Sequence, residues 1–221
     1  MKKLNLFAIL LVLIFLSGSG SSSALKMVPE GVDVIGEINL KAIMNDADIA
    51  DNIVDPKTKK KMTLDEALAK SKEETGIDFS KAEKFVFFVD IPEEAISSGQ
   101  KPSFESLTLG GVFEGVFDKA AILEAAKKKT GKDIKPTETI EGYEVYQPSK
   151  NQPAGTVMDS QYIAFGTMPA LKKVIGIKKG SVNGVSGSLP DLMASVPGDS
   201  YGKIAVVLPE ALMADLLKKV P

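Results

Sequence analysis

Apolar and polar positions follow three rhythms along this chain. The first is a block. Leu4 to Leu16 is apolar except for Asn5, with Met1-Lys2-Lys3 before it and the small polar stretch Ser17 to Ser23 after it. A basic start, a short apolar run and a small-residue exit are the pattern of a secretory signal. The run of about 13 residues is shorter than the roughly 20 that a bilayer-spanning helix needs. A signal peptide is therefore expected, and an uncleaved membrane anchor is the alternative. The chain divides into residues 1–23, signal and Ser-rich spacer, and residues 24–221, a single α+β domain.

The second rhythm has period 2 and predicts strands. Val32, Val34, Gly36, Ile38 and Leu40 alternate with Asp33, Ile35, Glu37 and Asn39, which reads as a half-buried strand. Phe85 to Val89 is a short aromatic and aliphatic run, suited to a central strand. Ser106 to Phe117 is the longest alternation, and its glycines predict a bulge or a bend. Tyr143 to Gln147 is another strand. Ala154 to Met158 and Gln161 to Phe165 form a hairpin around Asp159-Ser160, and Tyr201 to Leu208 is the last strand.

The third rhythm is helical. Thr63 with Glu66 makes a capping box, which opens a helix running to Thr75 and stopping at Gly76. Leu64, Ala67 and Leu68 form its apolar stripe. Asp118 caps a helix over Lys119 to Lys129 that Gly131 ends, with three lysines in the favourable last turn. Thr167 caps a short helix carrying Leu171, Val174 and Ile175, and Pro209 opens a final helix reaching Val220. Asn45 to Lys61, Ser97 to Pro102 and Ser181 to Ser188 are polar or Gly/Ser-rich and read as connections.

Strands joined mostly by hairpins, with helices between some of them, predict an α+β fold. Its sheet is mainly antiparallel, with helices packed on one face. The two ends of the domain resemble each other. Val28-Pro29 leads to a strand ending at Leu40 and then a helical segment; Val196-Pro197 leads at the same spacing to Leu208 and then a helix. An incomplete internal duplication is one reading. The other, preferred here, has residues 196–221 closing the first domain, since a lone strand–helix pair cannot bury its own face.

Composition removes chemistry. The chain has no Cys, His or Trp, and all 27 basic residues are Lys. There is no disulfide, thiolate nucleophile, imidazole base, Ser-His-Asp triad or ordinary zinc site. There is no guanidinium fork for phosphate. The net charge is −2, and losing Lys2 and Lys3 with the leader deepens it by two. A mildly acidic chain without Arg is not expected to bind nucleic acid.

Several residue groups carry side chains with chemical potential. Ser98 and Lys101, Ser181 and Asn183, and Lys129 to Gly131 echo penicillin-binding motifs, but in the wrong order. Asn45, Asp46, Asp48, Asp51 and Asp55 form an oxygen-rich run without the spacing of a calcium loop. Glu114, Asp118 and Glu141 supply carboxylates, but no spacing selects a pair. Tyr143 and Tyr146 read as packing residues. The Lys59–Lys61 and Lys127–Lys129 runs read as solvated faces. No residue is assigned a catalytic, cofactor-binding or metal-binding role, and no cofactor is expected.

A resemblance adds to this reading. Gly111-Val-Phe-Glu-Gly-Val-Phe-Asp-Lys119, Glu141-Gly-Tyr-Glu-Val-Tyr146, Ile163-Ala-Phe-Gly166 and Ala170-Leu-Lys-Lys-Val-Ile175 occur in this order. That order resembles a group of archaeal exported proteins and lipoproteins of uncharacterised function, and the related bacterial domains of the DUF3352 type. The resemblance implies a cell-envelope location and no known activity. Leu16-Ser17-Gly18 is the tripeptide that precedes the lipid-modified Cys in lipoprotein leaders, but Ser19 stands in the Cys place and cannot form the thioether.

Three functions are carried forward. One is a non-enzymatic envelope module that binds another envelope protein or a membrane surface, or serves structurally. A second is a carrier or sensor of an apolar small molecule or lipid, with Phe85, Phe87, Phe113 and Phe117 lining its site. The third is a hydrolase using Ser/Lys or carboxylates.

Overall fold

Three phenylalanine rings of one strand lie over glycines of its two neighbours, and the sheet is built outward from that contact. The computed structural model describes residues 23–50, 52–55, 58–92, 103–196 and 200–207. The signal segment, the Ser97 to Pro102 loop and the closing helix from Pro209 lie outside the described residues. In chain order the elements begin with a 3₁₀ turn Ala24–Met27, β1 Val34–Asn39, α1 Leu40–Met44, α2 Ala47–Ala50 and α3 Leu64–Thr75. Then come β2 Ala82–Asp90, β3 Thr108–Gly115, α4 Lys119–Thr130, β4 Glu138–Ile140 and β5 Tyr143–Val145. The last are β6 Ala154–Met158, β7 Tyr162–Gly166, α5 Met168–Lys179, α6 Ser188–Ser195 and β8 Gly202–Val206.

Six strands form one sheet in the order β6-β7-β3-β2-β1-β8, and β4-β5 is a separate hairpin. Every pairing in the large sheet is antiparallel. The fold is therefore α+β on an antiparallel sheet, as the pattern predicts. β8 pairs with β1 at the edge, so the last described strand belongs to the same sheet as the first.

The register places Phe87 between Gly36 and Gly111, and Phe88 opposite Gly110. A Cβ on Gly36 would stand 2.1 Å from the Phe87 ring, and one on Gly110 would stand 2.6 Å from the Phe88 ring. A Cβ on Gly111 would meet the Phe85 ring at 2.6 Å. Gly110 and Gly111 of β3 therefore receive rings, while Gly115 lies against the Lys81–Ala82 backbone. The irregularity in pairing lies instead on β2, between Ala82 and Lys84.

Two cores flank the sheet. On one face Ile35, Val86, Phe88, Val112 and Ala164 pack with the 3₁₀ turn, α5 and α6. On the other, Ile38, Phe85, Phe113 and Ile163 pack with Leu40 and Ile43 of α1, Phe79, Phe117 and Ile122 of α4. Both faces of β1 thus carry core residues, and helices pack on both faces of the sheet where the pattern predicts one, because α1 and α4 supply a second core opposite α5 and α6. The alternation assigned Ile35 and Glu37 to the polar side, yet both are buried. Glu37 tolerates this because Lys84 lies 3.6 Å away.

Helix ends follow the residues that specify them. Thr63 and Glu66 form the reciprocal capping box, and Gly76 closes α3 with φ 73°. Asp118 accepts from the backbone N–H of Ala120 and Ala121 at the start of α4, and Thr167 accepts from Ala170 at the start of α5. Asp159 and Ser160 both have positive φ, the geometry of a type I′ hairpin turn. Two expectations change. No residue of α3 is buried, so the Leu64, Ala67 and Leu68 stripe is only a shallow contact. α6 follows the Gly/Ser-rich run, burying Leu189 and Met193. Its Gly187 N-cap makes no side-chain bond, so no capping signal marks its start.

Gly36→Ala is expected to cost roughly 1–3 kcal/mol of stability, the usual penalty of overpacking a filled site. Gly155→Ala should cost far less, because its added Cβ would meet its nearest atom at 3.6 Å. Urea unfolding of the two variants checks the difference.

Candidate functional site

Three cross-strand rows of the second face carry no polar side chain among the described residues. They follow from the register. One row is Val206, Val34, Val89 and Leu109. The next is Ile204, Gly36, Phe87, Gly111, Phe165 and Gly155. The third is Gly202, Ile38, Phe85, Phe113, Ile163 and Val157. An antiparallel sheet face that meets water ordinarily alternates with polar residues. A face made entirely of apolar residues and glycine is one that something covers.

Only half of it is covered among the described residues. α1, Phe79, Phe117 and Ile122 close the row of Ile38, Phe85 and Phe113, whose members are buried. The first two rows are more open. Ile204 is 43% exposed and Val206 45%. Val34, Phe87, Val89, Leu109 and Phe165 are half-buried. Aromatic rings dominate the middle: Phe85 stacks on Phe113 at 4.5 Å and on Phe165 at 5.8 Å, and Phe79 meets Phe113 edge-on at 5.5 Å. The structure brings Phe85, Phe87, Phe113 and Phe117 into one cluster, as the carrier reading requires, and adds Phe79 and Phe165. Sequence reading missed Ile204, Val206 and Val34 as members. The signal was present in their even numbering, but which side of β8 stays open depends on what packs there.

The chemically suggestive residues take structural positions. Glu114 accepts from Ser23 Oγ at 2.5 Å and from the Ala24 N–H at 3.1 Å, pinning the start of the described chain to the sheet. Tyr162 OH shares a 2.6 Å hydrogen bond with the same Ser23 Oγ, and Lys178 Nζ lies 4.7 Å from the Tyr162 ring centre. Asp118 is a helix cap. Glu141 accepts from Ser181 at 2.9 Å. Lys129 lies in the last turn of α4 and Gly131 caps it, while Ser98 and Lys101 lie outside the described residues.

In the oxygen-rich run, Asp46 caps α2 by accepting from Ile49 N–H and also accepts from the Tyr201 hydroxyl. That hydroxyl bond holds Asp46 below the ordinary Asp range. Asp55 pairs with Lys70 at 2.5 Å. Asp51 lies outside the described residues. Among the described residues, no group of three or more carboxylates gathers as a metal site. An open groove of about 600 Å³ lies between residues 55–62 and α3, but its Lys60, Lys61, Lys70, Asp55, Glu66 and Glu73 mix both signs of charge.

A charged seam ties the β4-β5 hairpin to the main body. Lys119 Nζ lies 2.5 Å from Glu144 Oε2, which also accepts from Tyr146 OH at 2.7 Å. The Lys119 bond holds the Glu144 carboxyl below its ordinary range, and Glu144 in turn raises Lys119. Tyr143 OH donates to Asp159, and Lys178 lies 3.2 Å from the same carboxylate. Lys178 lowers Asp159, and burial raises the Tyr143 hydroxyl. Both tyrosines therefore serve packing and hydrogen bonding in the hairpin.

No family model matches the chain, and no curated protein matches it. Among solved structures it is similar to the Treponema protein TP0453 in several crystal forms. Form IV matches with TM-score 0.47 and 10% identity, over 84% of this chain and 64% of that one. Form III matches with TM-score 0.43 and 11% identity, over 90% and 69%. The chain thus spans 64% of the length of the form IV chain. Among the described residues no helix is long and apolar enough to cross a membrane.

The lowered Asp159 gives a pH signature. A depressed carboxyl stabilises the fold above its unfolded value and loses that contribution as pH falls through the folded one. Asp159→Asn suits the turn backbone and removes only the charge. It should lower stability at pH 7 by at most ~1 kcal/mol, since the pair is half-exposed and screened. The gap to the parent should close as pH falls below the ordinary Asp range. Thermal melts across pH check it.

Proposed function

We propose that this chain is an exported, non-enzymatic module of the cell envelope that binds another envelope protein through the open half of its apolar sheet face. The observation that carries this reading is a sheet face of apolar residues and glycine alone, with Ile204 and Val206 exposed at its edge. Exposed apolar area rimmed by polar surface is what protein interfaces use. The signal pattern of residues 1–23 supports export, and the DUF3352-type resemblance supports the envelope. Among the described candidates, Asp46, Asp55, Glu114, Asp118, Glu141 and Ser181 are held in caps, an ion pair and hydrogen bonds, which supports a non-enzymatic role. The acidic balance and missing Arg argue against nucleic acid as the partner.

The carrier reading stays beside it on one observation. Phe79, Phe85, Phe87, Phe113 and Phe165 make a continuous aromatic patch that runs from the open row of Phe87 and Phe165 into the closed row beside it, and an acyl chain or a flat apolar molecule fits its open end.

A photo-crosslinking residue placed at Ile204 in the full chain, expressed in cells, tests the first reading. It should yield one discrete protein adduct that the same probe at Lys172, exposed on α5, does not give. Identical adducts from both positions, or none from Ile204, would overturn it. Native mass spectrometry of the protein from an envelope extract tests the second: an added mass that denaturation removes supports carriage, and a bare mass removes tight carriage.

A further inference from the structure

The two edges of the sheet are finished differently. At the β6 edge the β4-β5 hairpin lies alongside. Tyr146 and Gly155 exchange N–H to C=O hydrogen bonds at 2.9 Å, and Thr156 Oγ1 donates to the Glu144 carbonyl at 2.8 Å. At the β8 edge no described residue pairs with the strand. We infer that a second copy of this chain pairs there, β8 against β8, antiparallel and about a two-fold axis at Ile204. The pairing goes beyond the proposed function: it uses the edge of β8, and that reading uses the face beside it.

The first support is the backbone. Asn39 N–H donates to Tyr201 C=O at 2.7 Å, and Val207 N–H donates to Asp33 C=O at 2.8 Å. Bonds in an antiparallel ladder recur at every second residue. Lys203 and Ala205 therefore bond to β1, while Gly202, Ile204 and Val206 turn their N–H and C=O outward. A bare row of such groups is a template for another strand. The usual devices that blunt an edge are missing from it. β8 has no Pro and no bulge against β1. Its one charge, Lys203, lies on the same face as Ala205, where α6 packs.

The second support is fit. About an axis at Ile204, that side chain meets Ile204 of the second copy, and Gly202 leaves room beside Val206 of the second copy. All three outward residues of each strand then pair. Lys203 falls opposite Ala205 of the second copy, so no like charges face each other. An axis at Lys203 would set the two lysines directly opposite, which is unfavourable. An axis at Ala205 would leave Gly202 unpaired within β8. The edge is thus complementary to itself, as a two-fold interface requires.

The third support is surface. Seven large apolar residues are exposed among the described ones, and four of them gather here: Ile204, Val206, Val207 and Leu192 of α6, the helix packed against β8. Val54, Val116 and Val182 stand on separate connections. Five residues a side make a contact smaller than the roughly 1,200 Å² of standard interfaces, so the dimer should dissociate on dilution.

Sedimentation of the purified full chain over a range of concentrations tests the pairing. A monomer–dimer equilibrium is expected. Ile204→Lys sets two charges against each other at the axis without touching the β1 ladder. Ile204→Pro removes an outward N–H that β1 does not use. Each should weaken the dimer about tenfold or more and leave the circular dichroism of the sheet intact; if the proline variant misfolds, the lysine variant still decides. Val54→Lys, exposed elsewhere, should change nothing. The chain has no Cys, so Ile204→Cys reports alone. A short thiol-to-thiol crosslinker should join two chains there, and Lys172→Cys on α5 should give only background. A monomer at every concentration, a dimer that ignores both Ile204 variants or weakens equally with Val54→Lys, or equal linkage at Ile204 and Lys172 would overturn the pairing. With the photo-crosslinking residue at Ile204, an adduct of two identical chains and no other would keep the pairing and sink the proposed function. An adduct with a different protein alone would do the reverse.

Discussion

The contact on which the sheet depends is the interlock of Phe85, Phe87 and Phe88 with Gly36, Gly110 and Gly111. A strand pairing is free to slide unless its side chains object, and a slip of one residue exchanges the two faces. Here a slip in either pairing would drive a ring into a neighbour bearing a side chain. Because Phe85 and Phe87 lie on one face and Phe88 on the other, the interlock holds β2 to β3 from both sides and β1 through Phe87 and Gly36 on one. The outer strands β7 and β8 then inherit their registers, and with them the assignment of every apolar residue to the closed core or to the half-open face.

Local signals were legible in the sequence because they need only a few residues. The Thr63–Glu66 box, the Gly76 and Gly131 stops, the Asp118 and Thr167 caps and the Asp159-Ser160 turn all appear where the chain pattern places them. Features that depend on what packs from elsewhere were not legible. Glu37 looks like a solvent position in alternation, yet it is buried beside Lys84. The stripe of α3 looks like core, yet it stays shallow because its neighbour α4 is itself at the surface. α6 hides behind a Gly/Ser-rich run with no capping side chain. Gly110 and Gly111 of β3 were visible, but the rings that fill their places come from another strand.

The candidate site was legible in the same partial way. The phenylalanines were visible as a group, and the structure gathers them. The openness of their face was not visible, since it depends on how far α1 and α4 reach across the sheet. The residues with catalytic potential were equally visible and proved to be spoken for. Asp46 and Asp118 cap helices, Asp55 and Glu144 hold lysines, and Glu114 secures the N-terminal turn. With those groups committed, the feature that stays most open among the described residues is the apolar face.

The bond of Ser23 to Glu114 and Tyr162 sets where the preceding residues leave the body of the protein. Glu114 and Tyr162 project from the face opposite the apolar one. Along β3, Glu114 lies five residues from Leu109, a displacement of about 17 Å. Ser23 is therefore fixed at the far corner of the molecule, on the side away from the apolar rows. Whatever is joined through that corner and whatever docks on the apolar rows would meet the molecule from opposite sides, so neither would crowd the other.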